Sequence, residues 1–332
     1  MSARRAVLIL ALLMVLAGVS LLAALAAGSV PMGLKDVLDA LAGGAGLQQE
    51  VVRLLRLPRA LAAFATGGLL ALAGALMQVL LRNALADPYV LGLSGGAAVG
   101  ALGAMLAGLG ALAANLGAAL GALAAIALVY ALARRDFAHR QMVGALDASS
   151  RLLLTGVVLA AGWAALITLM LTLAPEGRLR GMLFWLMGDL NGAESWMPAM
   201  LGLVAVLAVV YPAARDLNVL LRGEALAHSL GVRVAPLRRR IYLGASLATA
   251  LAVTTAGTIG FVGLVVPHAL RLAFGNDQRV LLPASALAGG TLLLIADTAA
   301  RTVVAPQQLP VGVITALVGV PAFMFLLMRG KS

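Results

Sequence analysis

The longest uncharged stretch of the chain, residues 90–133, most constrains what it can fold into. It contains no Asp, Glu, Lys or Arg and is rich in Ala, Gly and Leu. A transmembrane helix needs about 20 apolar residues, so this stretch is too long for one crossing and predicts two helices joined by a glycine-rich turn. Its apolar residues cover every face, unlike the alternating strands of an outer-membrane barrel. The stretch therefore predicts an all-α membrane protein.

The composition of the whole chain extends this prediction to a polytopic protein. Of the 332 residues, 62% are hydrophobic and 11% are charged, whereas soluble domains carry about 25% charged residues. Glycines at 257 and 260 divide the apolar region 241–270 into two segments. We expect about ten crossings in a single transmembrane domain over residues 1–332. The predicted crossings are residues 6–27, 60–81, 90–110, 112–133, 152–174, 196–214, 238–256, 257–274, 281–297 and 309–328.

The basic residues predict the orientation of these crossings. If both termini are cytoplasmic, 17 of the 24 Lys and Arg residues face the cytoplasm, which agrees with the preference of basic loops for that side. The other side then holds Lys35, Arg53, Arg56, Arg59, Arg178, Arg180 and Arg301. The net charge of +11 is explained by these loops, because the basic residues separate apolar runs instead of forming the continuous stripe of a nucleic-acid binder.

The residues needed for catalysis are not assembled in this sequence. It has no Cys, its three His are far apart, and its 13 acidic residues all fall at or near the ends of predicted helices. The C-terminal GKS resembles the end of a P-loop, but Phe325 stands where that motif requires its first glycine. We therefore expect no enzyme activity, metal or cofactor in this chain. A self-sufficient carrier or channel remains the alternative, although such carriers usually place an ionisable residue within a span.

Several stretches in order along the chain together resemble the FecCD-type permease family of ABC importers for iron–siderophore chelates, haem and vitamin B12. They are RLPR (56–59), GALMQVLLRNALADPYVLGLSGGA (74–97), SRLLLTG (150–156), FWLMGDLNG (184–192), LNVLLRGEALAHSLGV (217–232) and the long region 257–327. The resemblance implies a type II importer permease in the bacterial inner membrane, with ten helices per subunit and a homodimer whose translocation path lies between the copies. It also implies two ATPase subunits that bind ATP and Mg²⁺, and a periplasmic substrate-binding protein.

The resemblance also implies three functional sites. The docking site for the binding protein comprises Arg56, Arg59 and Arg301, whose guanidinium groups suit acidic partners. The cytoplasmic gate comprises Asn83, Leu85, Ser149 and Ser150. The ATPase-coupling site lies within the loop 216–236 and comprises Gly223, Glu224, Ala225, Leu226, Ala227, Leu230 and Gly231.

Each site has a simpler alternative reading that the sequence leaves open. The arginines can anchor helix ends at the membrane interface, and the Asn and Ser residues can cap helices. The amphipathic loop 216–236, expected to form two short helices divided by Gly223, can rest on lipid. His268 beside Pro267 could be a haem ligand, but a lone histidine in this motif is more often structural.

Two positions depart from the family pattern. Ala84 replaces a customary proline after the second crossing, and Asp189 occupies a position where many relatives have a small residue. The stretches 150–160 and 178–192 look close to vitamin B12 permeases. They do not choose among siderophore, haem and corrinoid, because the binding protein selects the ligand.

Overall fold

The computed structural model describes residues 3–28, 32–44, 46–138, 148–191 and 195–329, and the regular structure in these ranges is helical. The α-helices, in chain order, are α1 (Ala3–Ala26), α2 (Leu34–Leu41), α3 (Leu47–Glu50), α4 (Leu57–Leu80), α5 (Leu93–Leu106), α6 (Ala111–Ala138), α7 (Ala148–Leu173), α8 (Glu176–Leu186), α9 (Met197–Val210), α10 (Ala214–Leu220), α11 (Glu224–Ser229), α12 (Val234–Ala256), α13 (Val262–Phe274), α14 (Gln278–Thr302) and α15 (Val311–Arg329). A π-helical turn (Val51–Arg56) precedes α4, and 3₁₀ turns (Pro88–Leu91 and Tyr211–Ala213) precede α5 and α10.

Every predicted crossing contains a helix, but not every helix has the length of a full crossing. Six segments of the described chain are long and apolar enough to cross a membrane, and α5, α13 and α15 are shorter apolar helices. The remaining predicted crossing lies in α12, which carries three consecutive arginines, Arg238–Arg240, near its start. The number of ten crossings stays a prediction, whereas the all-helical class is confirmed.

Helix α4 lies at the centre of the bundle. It packs against α12, α13, α14 and α9, and 89% of its apolar window is buried, compared with 11% for α1 and α7. Small residues make these contacts close: a Cβ at Gly74 would lie 1.8 Å from the carbonyl oxygen of Gly263 on α13, and one at Gly67 would lie 2.2 Å from that of Gly289 on α14. Such close backbone approach is how helices associate in lipid, where apolar attraction between them is weak.

Both predicted breaks between paired crossings are confirmed. Helix α5 ends at Leu106 and α6 begins at Ala111; α12 ends at Ala256 and α13 begins at Val262. At the second break, Gly257 lies against α8, because a Cβ there would meet the carbonyl oxygen of Trp185 at 2.1 Å. The short helices α2, α3 and α8 and the π-helical turn lie outside the predicted segments.

Candidate docking, coupling and gate sites

Two of the three predicted docking arginines, Arg59 and Arg301, pair with one buried carboxylate. Asp297 on α14 is 1% exposed. Arg59, in the first turn of α4, donates from Nε to both of its oxygens at 3.1 Å and from Nη2 to Oδ1 at 2.9 Å. Arg301, one turn further along α14, places Nε 3.4 Å from Asp297 Oδ2. A carboxylate out of contact with water is stable in the charged form only when paired in this way.

The outer nitrogen of Arg59 is held by two neutral amides. Its Nη1 donates to Asn191 Oδ1 at 2.7 Å and to Gln308 Oε1 at 2.9 Å, both in exposed positions. The Asp189 carboxylate fixes the first of these loops by accepting the backbone N–H of Asn191 at 2.8 Å. The inner edge of the Arg59 guanidinium, Nε and Nη2, is thus paired with the Asp297 carboxylate, and its outer edge, Nη1, lies at the surface.

Arg56 and Arg301 point inward and cap helix α1. The last carbonyls of an α-helix lack partners within the helix. Arg56 Nη1 donates to Leu25 O at 2.7 Å and Ala26 O at 3.0 Å, and Arg301 Nη2 donates to Ala24 O at 2.9 Å. Arg56 is 7% exposed. Of the three predicted docking residues, Arg59 therefore has the edge that is best placed to meet a partner.

Asp297 was not among the predicted site residues. Its signal in the sequence was the DTAAR motif, which places Asp297 and Arg301 four residues apart on one helix face. That spacing predicts an ion pair within α14, but nothing in the sequence indicates the contact with Arg59, since the two residues are 238 positions apart.

The coupling segment forms the two short helices expected of it, α10 and α11. Gly223 (φ +121°) and Gly231 (φ +78°) lie on either side of α11 in backbone conformations that favour glycine. Ala227 is fully buried, whereas Leu226 and Leu230 are 41% and 62% exposed. The segment therefore presents a small apolar surface outward, with the exposed Ala225 beside it.

Two polar contacts tie this segment to the long helices. Glu224 Oε1 accepts from Arg238 Nη1 of α12 at 3.1 Å. Asn218 of α10 donates from Nδ2 to Asp277 Oδ1 at 2.9 Å and accepts the backbone N–H of Gln278 at 2.8 Å, so it contacts the first residues of α14. The hydrogen bonds from Arg279 hold the pKa of Asp277 well below its usual range, with further lowering by Asn218. Helix α14 thus contacts Asn218 at its start and Arg59 near its end.

The predicted gate residues are only partly described. Asn83 terminates α4 with a side-chain turn, since its Oδ1 accepts the backbone N–H of Leu85 at 2.9 Å and its own N–H donates to Gln78 O at 3.1 Å. Leu85 is exposed. Ser149 and Ser150 lie in the first turn of α7, but their side chains fall outside the described part. The turn geometry gives Asn83 a structural role, and gating stays a prediction.

A cavity of about 590 Å³ opens between the ends of several helices. Its lining includes Ser94 of α5, Ile167 of α7, Leu186 of α8, Thr258 before α13 and Val313 of α15. Most of the lining is small or apolar. Tyr89 also lines it, and the hydroxyl of Tyr89 donates to Ile259 O at 3.1 Å and accepts Ile259 N–H at 3.0 Å. Within the described residues no three His, Asp or Glu side chains assemble as metal ligands.

His268 lies on α13 and belongs to no group of metal-ligand side chains among the described residues. Its ring meets the edge of Phe323 on α15 with 6.0 Å between ring centroids. This contact packs α13 against α15, and the haem-ligand alternative stays untested.

Comparisons with known proteins agree with this architecture. The profile of the FecCD transport family matches residues 12–329. The chain is 43% identical over 283 residues to the cobalamin import system permease protein BtuC of Halobacterium salinarum, covering 84% of this chain and 73% of that protein. It is 40% identical over 281 residues to the vitamin B12 import system permease protein BtuC of Escherichia coli, covering 83% of each. Among solved structures, a transporter assigned to the metal-chelate ABC type in an inward-facing conformation superposes with a TM-score of 0.81 at 29% identity, covering 98% of this chain and 99% of that one.

Proposed function

The chain belongs to the FecCD transport family, and on that premise we propose that it is the membrane-spanning permease subunit of an ABC importer for a bulky metal chelate. Cobalamin is the first substrate to test, ahead of haem and iron–siderophore chelates. The observation that carries the proposal is the identity of 40–43% over more than four fifths of the chain with permeases named for cobalamin or vitamin B12. The cavity lined by small and apolar side chains suits a large, weakly held cargo.

We assign ATP hydrolysis to partner subunits that dock on α11. The sequence has no P-loop, and α11 offers a short helix with exposed Leu226 and Leu230. A short amphipathic helix of this kind fits an apolar groove on a partner. ATP-driven closure of two such partners would move α10 and α11, and through Asn218 and Glu224 this motion reaches α14 and α12. The permease functions as a homodimer with the path between its copies.

We assign docking of a substrate-binding protein to the surface around Arg59. Its outer edge carries positive charge at the surface, where carboxylates of a partner can form charge-assisted hydrogen bonds. The distribution of basic residues supports this assignment, because it places residues 56–59 and 301 on the periplasmic side of an inner-membrane protein with both termini in the cytoplasm.

Transport out of proteoliposomes tests the proposal. The permease is reconstituted with its ATP-binding subunit, the lumen serving as the periplasmic side with binding protein and radiolabelled cobalamin enclosed, and ATP is added outside. We expect ATP-dependent export of cobalamin from the lumen, and ATPase activity only when the ATP-binding subunit is present. Haem and a ferric hydroxamate siderophore are run in parallel with their own binding proteins.

The outcomes separate the possibilities. ATP-dependent movement of haem or the siderophore alone would keep the importer and change the substrate. Movement of any of the three by the chain alone, without ATP or the other subunits, would identify a self-sufficient carrier or channel and overturn the proposal.

The orientation has its own test, because the chain contains no Cys. Single cysteines at the exposed Leu85 and Gln307 provide unique labels in intact cells. A membrane-impermeant maleimide added from the periplasm should label Gln307→Cys and spare Leu85→Cys. The reverse pattern would invert the assignment of both ends.

A further inference from the structure

We propose that Asp297 is the positioning residue of the docking site, and that Asn191 and Gln308 occupy the outer nitrogen of Arg59 until a carboxylate of the binding protein replaces them. This inference rests on the docking function proposed above. It adds three residues to that function, each with a distinct role: one fixes the guanidinium, and two hold its outer edge in the free permease.

The inner contact fixes the direction of the Arg59 side chain. Nε and Nη2 both point at Asp297, with three donor–acceptor distances between 2.9 and 3.1 Å. A guanidinium is planar, so fixing this edge also fixes where Nη1 lies. Asp297 is itself held, since Arg301 approaches it from the next turn of the same helix. The outer edge of Arg59 therefore faces the surface in one orientation, without the rotamer loss that a free arginine suffers on binding.

The net charge of this site is positive, which suits an anionic partner. Arg59 and Arg301 both pair with the Asp297 carboxylate, and Arg56 shares the last carbonyls of α1 with Arg301. Three guanidinium groups and one carboxylate thus make up this cluster, an excess of two positive charges. Asp297 is 1% exposed and is fully engaged, so a further carboxylate from a partner completes the pairing from outside.

The outer contacts are of the kind that a carboxylate displaces. The Asn191 and Gln308 oxygens are neutral acceptors, whereas a carboxylate adds the attraction between two opposite full charges to the hydrogen bond and can accept from a guanidinium in bidentate fashion. Both residues are exposed and belong to connections rather than to helices: Asn191 follows α8, and Gln308 precedes α15. They can therefore move aside without unpacking the bundle, and they satisfy Nη1 while no partner is bound.

The test compares three variants with the wild type in nanodiscs. Asp297→Asn keeps the size of the side chain and removes its charge, and the double variant Asn191→Ala with Gln308→Ala removes both amides. Gln307→Ala serves as the matched control, being exposed and adjacent to Gln308. Two readouts are collected: the rate at which phenylglyoxal modifies Arg59, followed by peptide mass spectrometry, and the Kd of a purified vitamin B12-binding protein, measured by surface plasmon resonance at low and high salt.

The expected pattern differs between the variants. Asp297→Asn should raise the modification rate of Arg59 and weaken docking by about tenfold, the factor for losing a hydrogen-bonded charge contact. The double alanine variant should also raise the modification rate, but docking should be retained or tightened severalfold, because the partner no longer competes with the amides. Gln307→Ala should match the wild type in both readouts.

Three results would overturn the inference. Docking weakened by the double alanine variant would make the amides direct contacts of the partner instead of groups that it replaces. If Asp297→Asn changes neither docking nor the modification of Arg59, Asp297 has no positioning role. If Asp297→Asn does not fold, the double alanine variant still tests the inference. Unchanged modification of Arg59 in that variant would show that Asn191 and Gln308 do not occupy its outer nitrogen. If the wild type docks none of the binding proteins for cobalamin, haem and the siderophore, the docking function itself is rejected, and this inference with it.

Discussion

Substitution of Gly74 by Ala tests the close packing at the centre of the bundle. Gly74 lies on α4 where this helix crosses α13, and a Cβ there would lie 1.8 Å from Gly263 O and 2.5 Å from its carbonyl carbon. Real Cβ atoms essentially never approach closer than 3.0 Å. The obstacle is backbone rather than a flexible side chain, so the two helices must separate by about 1 Å to admit the methyl group.

The magnitude follows from two opposing effects. Overpacking of a well-packed interior costs about 1–3 kcal/mol, and a backbone obstacle places this site at the upper end. Replacing Gly by Ala within a helix returns about 0.5–1 kcal/mol. The net destabilisation is therefore about 2 kcal/mol, which corresponds to a fall of roughly 3 °C in the melting temperature for a chain of 332 residues.

The assay is thermal unfolding of the purified protein in detergent, followed by the fluorescence of its three tryptophans. The matched control is Gly162→Ala on α7, because a Cβ at Gly162 meets nothing within 4 Å. We expect this control to melt at or slightly above the wild-type temperature. If Gly74→Ala melts together with Gly162→Ala, the close crossing of α4 and α13 is wrong.

Three further perturbations address other parts of the molecule. Tyr89→Phe removes both hydrogen bonds to the Ile259 backbone and should cost about 1–3 kcal/mol, seen as a lower melting temperature. Asp277→Asn should destabilise at neutral pH. Because the folded-state pKa of Asp277 is depressed by Arg279, its contribution is complete above the unfolded pKa of about 4 and disappears as the pH falls through the folded-state pKa. Leu226→Asp should lower retention of the ATP-binding subunit about tenfold by placing a charge in the apolar contact.

Each of these predictions has a control and a contrary outcome. Tyr211→Phe, at an exposed tyrosine, is the reference for Tyr89→Phe; equal melting temperatures would refute the role of the Tyr89 hydroxyl. For Asp277→Asn, a stability difference from the wild type that does not shrink as the pH is lowered from 7 to 2 would contradict the linkage. Leu47→Asp changes an exposed leucine of α3, and an equal loss of the ATP-binding subunit in both leucine variants would rule out a specific contact at α11.

The helical class and the breaks between paired crossings followed from the sequence because they depend on local composition. An uncharged run of 90–133 exceeds one crossing, and Gly257 interrupts the next pair. The division of the coupling segment was equally local, since Gly223 separates α10 from α11 as the sequence predicted. Local composition did not reveal α2, α3 or α8, which are too short to leave an apolar signature of their own.

The contacts around the proposed docking residues could not be predicted, because most of them join residues far apart in the chain. The resemblance brought Arg56, Arg59 and Arg301 together as one surface. It could not show that Arg56 is buried against the carbonyls of α1, nor that Asp297 fixes Arg59. The departure at Asp189 has an explanation in the fold, because its carboxylate holds the Asn191 backbone.

Helix α14 has a thermodynamic consequence for the importer. From Asp277 to Asp297 it rises about 30 Å, the thickness of the hydrocarbon layer, and it contacts Asn218 at one end and Arg59 at the other. Two binding events that both depend on the position of one rigid helix exchange free energy equally in both directions. A binding protein that docks more tightly to the ATP-bound importer must therefore tighten ATP binding by the same factor, and measuring the change in either affinity fixes the change in the other.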